Sequence, residues 1–399
     1  MGNFKFDPSS TFARIKVIGI GGAGSNAVNR MIDDMKNSID YIVMNTDAQA
    51  LSTSCCKNQF VLGEDITRGL GAGGNPEVGK KAALADLEKI KEMVSNTDLV
   101  FIAAGMGGGT GTGAAPVVAK AAMEAGALTI AVVTRPFDFE GQQRKVKAIE
   151  GINELKKYVD SYIVVSNNSL MNTNGDRPIG EAFAESDRIL SQSVKTITDL
   201  IILPGLINLD FNDIKNTLSG KRGMALIGFG MGSGEKKAID AASNSFSSPL
   251  LEASIKGARS AIVNITGGKN VTLSEAADAI DYIREVAENN IEIIFGVQQN
   301  PILEDTMLIS IIATGFDSDY DFSDSKPLIS TRAKTESKES SSPITNNLKK
   351  SENKEEESIL PSFLNEIRRK NETNVYSFKE EEKTEENDDI EQEGLIDNN

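Results

Sequence analysis

The chain has 399 residues, enough for two domains and a tail, and a formal net charge of −16 that argues against general nucleic-acid binding. There is no histidine, which removes the commonest general base, the commonest zinc ligand and every Ser-His-Asp mechanism. With only the adjacent pair Cys55 and Cys56, no apolar run long enough to span a bilayer and no apolar, positively led N-terminus, the expectation is a cytoplasmic protein with reduced thiols and no direct membrane insertion.

Residues 1–12 read as a loose N-terminal arm. Arg14 to Ile20 reads as a strand, and Gly19 to Gly24 spell G-x-G-x-x-G at the turn into a helix with Val28, Met31, Ile32 and Met35 on one face. Alone, that is a dinucleotide-binding fingerprint. It keeps an NAD-dependent oxidoreductase in view, with Asp47, after the strand Tyr41 to Met44, as ribose acceptor. Gly69 to Gly74 form a glycine turn. Asn75-Pro76 then start a helix, asparagine as cap and proline at the first helical position.

Leu99 to Ala104 is a short apolar run, read as a buried strand. Gly107 to Gly113 follows as G-G-G-T-G-T-G, and Ala114-Ala115-Pro116 open an Ala-rich helix with the proline in its first turn. Bare N–H groups between a strand end and a positive helix end make an anion site, to which Thr110 and Thr112 can add hydroxyl donors. A second phosphate loop is foreign to the dehydrogenase pattern, and the absence of G-x-x-x-x-G-K-[ST] excludes a P-loop NTPase.

Leu128 to Thr134 and Tyr162 to Val165 read as further strands. Between them Glu140 and Arg144 stand four apart, which by spacing alone is an exposed ion pair. Ile179 to Ile202 reads as a helix. Ile179, Phe183, Leu190, Val194, Ile197 and Ile201 mark a buried stripe, Pro178 starts it and Pro204-Gly205 stop it. It spans about 36 Å. In Asn208-Leu209-Asp210-Phe211-Asn212-Asp213, two acids three apart either order a water and a hydrated cation or cap the next helix through Asn212 or Asp213.

Met224 to Gly230, Ala261 to Ile265, Ile291 to Gly296 and Met307 to Thr314 read as strands. Ser247 to Glu252 and Leu273 to Ala287 read as helices, and Gly230 to Gly234 as a surface turn. From Asp317 on, 22 acidic residues face 12 basic ones and apolar residues thin out. Residues 317–356 read as a disordered linker reaching about 35 Å. Residues 357–370 carry the apolar Ile359, Leu360, Pro361, Phe363 and Leu364 before Arg368-Arg369-Lys370, and 371–399 form an acidic disordered tail.

These motifs, in this order, resemble the tubulin/FtsZ superfamily. G-G-G-T-G-T-G after an apolar strand is similar to its signature loop. The wider A-A-G-M-G-G-G-T-G-T-G-A-A-P-V is similar to the bacterial FtsZ cell-division GTPases, over about Arg14 to Phe316. The resemblance implies an α/β fold. A Rossmann-like GTP-binding domain (13–178) is joined by a long central helix (179–203), then a catalytic loop and helix (204–222), to a smaller α+β domain (223–316), followed by the tail. It implies GTP/GDP as ligand, with Mg²⁺ held through nucleotide and water and no direct protein ligand.

Gly21, Gly22, Ala23, Gly24, Ser25 and Asn26, with Gly108, Gly109, Thr110 and Gly111, would hold nucleotide. Gly73 would lie on a loop sensing the third phosphate. By resemblance Glu140 and Arg144 take the sugar side, and Asn167, Phe183 and Asp187 the guanine. Guanine offers ring and exocyclic N–H donors side by side, and a carboxylate accepts both. Without the family, Asp187 reads as a solvated helix residue. Ser166-Asn167-Asn168 stands where the family usually has Pro-Asn-Asp, so Asn168 receives no role.

Asn208, Asp210 and Asp213 resemble the family's N-x-D-x-x-D catalytic loop. If Asp187 holds the base, that loop lies about 25–35 Å away by helix rise. The two acids would then serve a neighbour's nucleotide in head-to-tail contact, which builds a filament when it does not close. The implied protein is a self-polymerising GTPase of the division (Z) ring at midcell, activated by polymerisation. Its 359–364 peptide would dock on membrane-tethering and regulatory division proteins. Asn365 to Ile367 separate Leu364 from the arginines, unlike the family pattern, and the tail from Asn371 runs past the family's usual end. A GTP-gated scaffold without hydrolysis is the other alternative, and Asp210 and Asp213 argue against it.

Overall fold

The computed structural model describes residues 13–34, 39–174, 178–203, 205–219, 223–247, 255, 257–287 and 291–316. The expectations for 1–12, for Met35 and Pro204, for the helix opening at Ser247, and for everything from Asp317 on, including the peptide from Ile359 to Leu364, lie outside the described residues.

The strands are β1 (Ile15–Ile20), β2 (Asp40–Asn45), β3 (Asn58–Val61), β4 (Leu99–Gly105), β5 (Leu128–Arg135), β6 (Ser161–Ser166), β7 (Gly223–Ser233), β8 (Ser260–Gly267), β9 (Glu292–Gln299) and β10 (Thr306–Thr314). The helices are α1 (Gly21–Asp34), α2 (Ala48–Ser52), α3 (Glu64–Thr67), α4 (Pro76–Ala85), α5 (Leu87–Val94), α6 (Thr110–Glu124), α7 (Gln142–Leu155), α8 (Asn167–Asn174), α9 (Ile179–Ile202), α10 (Phe211–Leu218), α11 (Lys237–Phe246) and α12 (Leu273–Val286). The strands form one sheet in the order β3-β2-β1-β4-β5-β6-β7-β10-β8-β9.

From β3 to β6 every pairing is parallel, in the 3-2-1-4-5-6 order of doubly wound nucleotide-binding folds. Parallel strands are covered on both faces, so they read as unbroken apolar runs. Leu99 to Ala104 of β4 are all at 0% exposure. One core joins Ile18, Ile20, Val100, Ile102 and Val133 of the strands to the Ala-rich α6 and to Ile152 and Leu155 of α7. A second core sets Val263, Ile265, Ile309 and Ile311 against small residues of α11 and α12.

Strand β7 belongs to both halves. Gly223 to Ala225 pair in parallel with β6, and from Leu226 to Ser233 the same strand pairs antiparallel with β10. β8 and β9, parallel to each other, finish the far edge.

Helix α9 has the bounds its periodicity predicts. Leu190, Val194 and Ile197 are buried, whereas Phe183, near its start, is 39% exposed. Two expectations are corrected. The proline of α6 is not in its first turn: the helix begins at Thr110 and Pro116 sits in its interior. Gly113, inside the helix, lets α4 lie on α6: a Cβ there would stand 2.0 Å from the Pro76 carbonyl oxygen. Gly230 and Gly232 are not a surface turn but part of β7. A Cβ there would stand 1.9 Å from Ala241 O and 2.2 Å from Lys237 O, so the glycines let α11 lie directly on the strand.

Candidate functional site

In a doubly wound sheet a ligand crevice opens at the carboxyl ends of the strands where the order reverses. Here that point lies between β1 and β4, and these two strands lead into the glycine loops. Gly21, at φ +74°, turns β1 directly into α1. Gly107, at φ +98°, turns the chain after β4.

The glycines divide by what a side chain would meet. At Gly24 a Cβ would stand 2.2 Å from Ala103 O, and at Gly111 2.5 Å from Gly105 O, so both serve close packing. Gly22 and Gly108 have nothing within 4 Å. They are the bare faces open to a ligand, beside two helix N-termini that favour anions. Ala23 packs on Gly105. Ser25 Oγ is buried without a hydrogen-bond partner among the described residues, an orphan donor in the second turn of α1.

The threonines are braces. Thr112 Oγ1 accepts the Gly107 N–H at 2.8 Å, and Thr110 Oγ1 lies 2.6 Å from Thr46 Oγ1. Asp47 caps α2 by accepting from Ala50 N at 3.1 Å. The expected asparagine cap at Asn75 is present, accepting from Glu77 N at 3.0 Å. Gly109 packs against Ala72 and Asn75, which brings the 69–75 loop, with Gly73, alongside the signature loop.

On the other flank, Glu140 closes its turn by accepting the Phe137 N–H at 2.9 Å and pairs with Arg144. That is the ion pair the spacing predicts. Asn167 opens α8 at the end of β6, and its side-chain Oδ1 accepts from Ser186 Oγ at 2.7 Å, which fixes the orientation of an amide whose NH2 can donate to a ligand. Asp187 follows Ser186 and is 8% exposed. Burial raises its pKa to about 6, opposed by Arg30, whose Nε lies 3.9 Å away, and by a hydrogen bond from Asn26. So Asn26 of α1, far from α9 in sequence, meets the base-reading candidate.

Phe183 contacts Phe137 edge-on at 5.1 Å, and Phe139 stacks on Phe137 at 5.0 Å. Phe139 is 56% exposed and makes a second aromatic face beside Phe183 that the sequence did not single out. Asn168 clasps Asp138 by accepting its backbone N–H at 2.8 Å and donating to its carboxylate. Lys145 pairs with the same carboxylate at 2.6 Å and, with Asn168, holds its pKa below the usual range against burial. An aspartate at 168 would set two carboxylates together, which accounts for the asparagine here.

The acidic loop stands elsewhere. Asp210, not Asn212 or Asp213, caps α10: its Oδ1 accepts Asp213 N at 2.8 Å, and Asp213 Oδ2 accepts Asp210 N at 3.1 Å. Asn208 is exposed beside the buried Leu209. The preceding residues are strapped to the far edge of the sheet, Leu206 N donating to Val297 O at 2.7 Å. Lys215 of α10 acts electrostatically on Asp98, at the start of β4, whereas the glycine loop follows the end of that strand. Seven residues of strand separate the two ends, about 23 Å at the usual rise. Among the described residues, no group of three or more Cys, Asp or Glu side chains converges as a metal site, and no helix is long and apolar enough to cross a membrane.

A nucleotide fits this arrangement: two open glycine faces and an orphan hydroxyl for phosphate, an aromatic face, and a carboxylate beside amide donors for a purine edge. The comparisons agree. The GTPase domain of the Tubulin/FtsZ family matches residues 14–175, and the C-terminal domain of the FtsZ family matches 223–317. An empty FtsZ dimer from M. jannaschii is 38% identical at a TM-score of 0.72, covering 78% of this chain and 93% of that one. A mutant FtsZ from the same organism is 40% identical at 0.73, covering 77% and 92%. CetZ1 of Haloferax volcanii, bound to GDP, shares the fold at 18% identity and a TM-score of 0.66, covering 76% and 94%. The dehydrogenase reading of Gly19 to Gly24 is thereby overturned, since the fingerprint opens a tubulin-like GTPase domain.

Proposed function

The chain belongs to the FtsZ family of tubulin-like GTPases, and from that premise we propose that it is a GTP-dependent polymer of the bacterial division ring, hydrolysing GTP at the junction between head-to-tail subunits. As a GTPase of this family it binds GTP and GDP. The phosphates would rest on Gly21 to Asn26 and on Gly108 to Gly111, the sugar side on Glu140 and Arg144, and the guanine on Asn167, Phe183 and Asp187.

One observation carries the reading of hydrolysis in trans. The cradle lies at the strand-end edge of the sheet, and Asp210 and Asp213 lie on the helix near the strand-start edge. A strand's length between those two edges supports the reading that each subunit would lend the two acids to a neighbour. There the two carboxylates would orient the attacking water, whose oxygen bonds the terminal phosphorus as the bridge to the second phosphate breaks. Mg²⁺, held by phosphates and water, would neutralise charge on the phosphate oxygens. The M. jannaschii FtsZ solved as a dimer supports self-association as the working state. The 359–364 peptide would tether the filament to membrane-bound and regulatory division partners.

Phosphate release per molecule, followed against protein concentration, tests this. The rate should be near zero below a threshold and rise above it, together with light scattering in GTP but not in GDP or ATP. A rate per molecule independent of concentration would exclude catalysis in trans. Scattering without phosphate release would leave the non-hydrolysing scaffold.

A further inference from the structure

Lys147, in the second turn of α7, donates from Nζ to the Gly74 carbonyl oxygen at 2.7 Å. This bond holds the tip of a loop with few other means of being held. Gly69, Gly71, Gly73 and Gly74 all lie in the left-handed region, at φ +70°, +87°, +57° and +69°. Gly73 and Gly74 have nothing within 4 Å of a would-be Cβ.

The base of the loop is tied to the cradle. Gly71 N donates to Thr46 O at 3.0 Å, Thr46 meets Thr110, and Gly109 packs on Ala72 and Asn75. The first turn of α7 closes another side, with Gly107 against the Arg144 carbonyl. Two cations of that turn are already paired, Arg144 with Glu140 and Lys145 with Asp138. Lys147 brings a charge without a carboxylate partner among the described residues to the margin of the cradle. An ammonium has three donors, and Gly74 takes one.

We propose that Lys147 is a positioning residue for the third phosphate, holding the 69–75 loop over the end of the triphosphate and so setting the preference for GTP over GDP. The inference rests on the GTP-binding reading above. A diphosphate ends at the N-termini of α1 and α6, and only the added phosphate meets the bare backbone of Gly73 and Gly74. A loop free to open leaves that phosphate without its cover, while the diphosphate contacts are untouched.

The test is displacement of a fluorescent guanine nucleotide by GTP and by GDP from the full-length protein, in wild type, Lys147→Met and Lys147→Arg. Lys147→Met should weaken GTP roughly tenfold, the size of one charge-assisted hydrogen bond, and leave GDP within about twofold. Lys147→Arg, which keeps the cation and its donors, should restore most of the difference. Equal losses for GTP and GDP, or no loss for either, overturn the role of Lys147 alone. A wild type that binds neither nucleotide overturns the nucleotide site itself.

Discussion

Asp187 is asked to be buried and to be charged. Burial raises its pKa to about 6 from an ordinary 3.8. A group whose pKa is raised on folding stabilises the fold when protonated and loses that contribution as pH rises through the folded value. The nucleotide-free protein should therefore gain thermal stability on acidification from pH 7.5 to 5.5, with Asp199, also raised to about 6 by burial, adding to the gain. Over the same window guanine nucleotide binding should weaken, because only the carboxylate accepts both guanine donors. The loss should approach tenfold per pH unit below about 6 and flatten in Asp187→Asn. Identical pH profiles for that variant and wild type would remove Asp187 from base recognition. Asp210 poses another conflict, since it caps α10 as well as being the proposed catalytic acid. Asparagine caps as well as aspartate, so Asp210→Asn separates the two tasks. We expect an unchanged melting temperature and phosphate release reduced by an order of magnitude or more. Asp213→Ala should bind GTP and assemble but barely hydrolyse, at a stability cost of about 1 kcal/mol for the lost half of the capping box.

Among elements, β4, its glycine loop and α6 make the sharpest contrast between packing and binding. Gly113→Ala drives a Cβ to within 2.0 Å of Pro76 O and should destabilise the protein by about 3 kcal/mol or more, read as a lowered urea midpoint. Gly108→Ala meets nothing, and should leave the unfolding free energy within about 0.5–1 kcal/mol of wild type while weakening GTP binding severely. Equal stability losses in the two variants would refute the division of glycines drawn above. Much of this was legible in the sequence, because an unbroken apolar run, a glycine string and an amphipathic 24-residue stripe each have one simple physical reading. For the glycines of β7, nothing local in the sequence announces the helix lying on them. The partners that shape the site leave no local sequence signal for a related reason. Asn168 finds Asp138 from 30 positions away, and Lys147 finds Gly74 from 73, pairings made only by the folded sheet.

At the scale of the molecule, the proposed reaction centre is divided between two copies, and that division can be checked by mixing. Asp210→Asn retains the cradle and Gly108→Ala retains the acidic loop, so each alone should be inactive. In an equal mixture about one junction in four pairs an intact cradle with an intact loop. Phosphate release should then recover to a corresponding fraction of the wild-type rate. No recovery, in a mixture shown to co-sediment with GTP, would mean that both parts must belong to the same chain. The shared strand adds a mechanical corollary. β7 is laced to β6 at its beginning and to β10 for the rest of its length, so a continuous cable of backbone bonds crosses from the nucleotide half to the half that bears the far edge. Tension along a filament would load that cable directly, and the two halves would yield by twisting about it before they could be pulled apart.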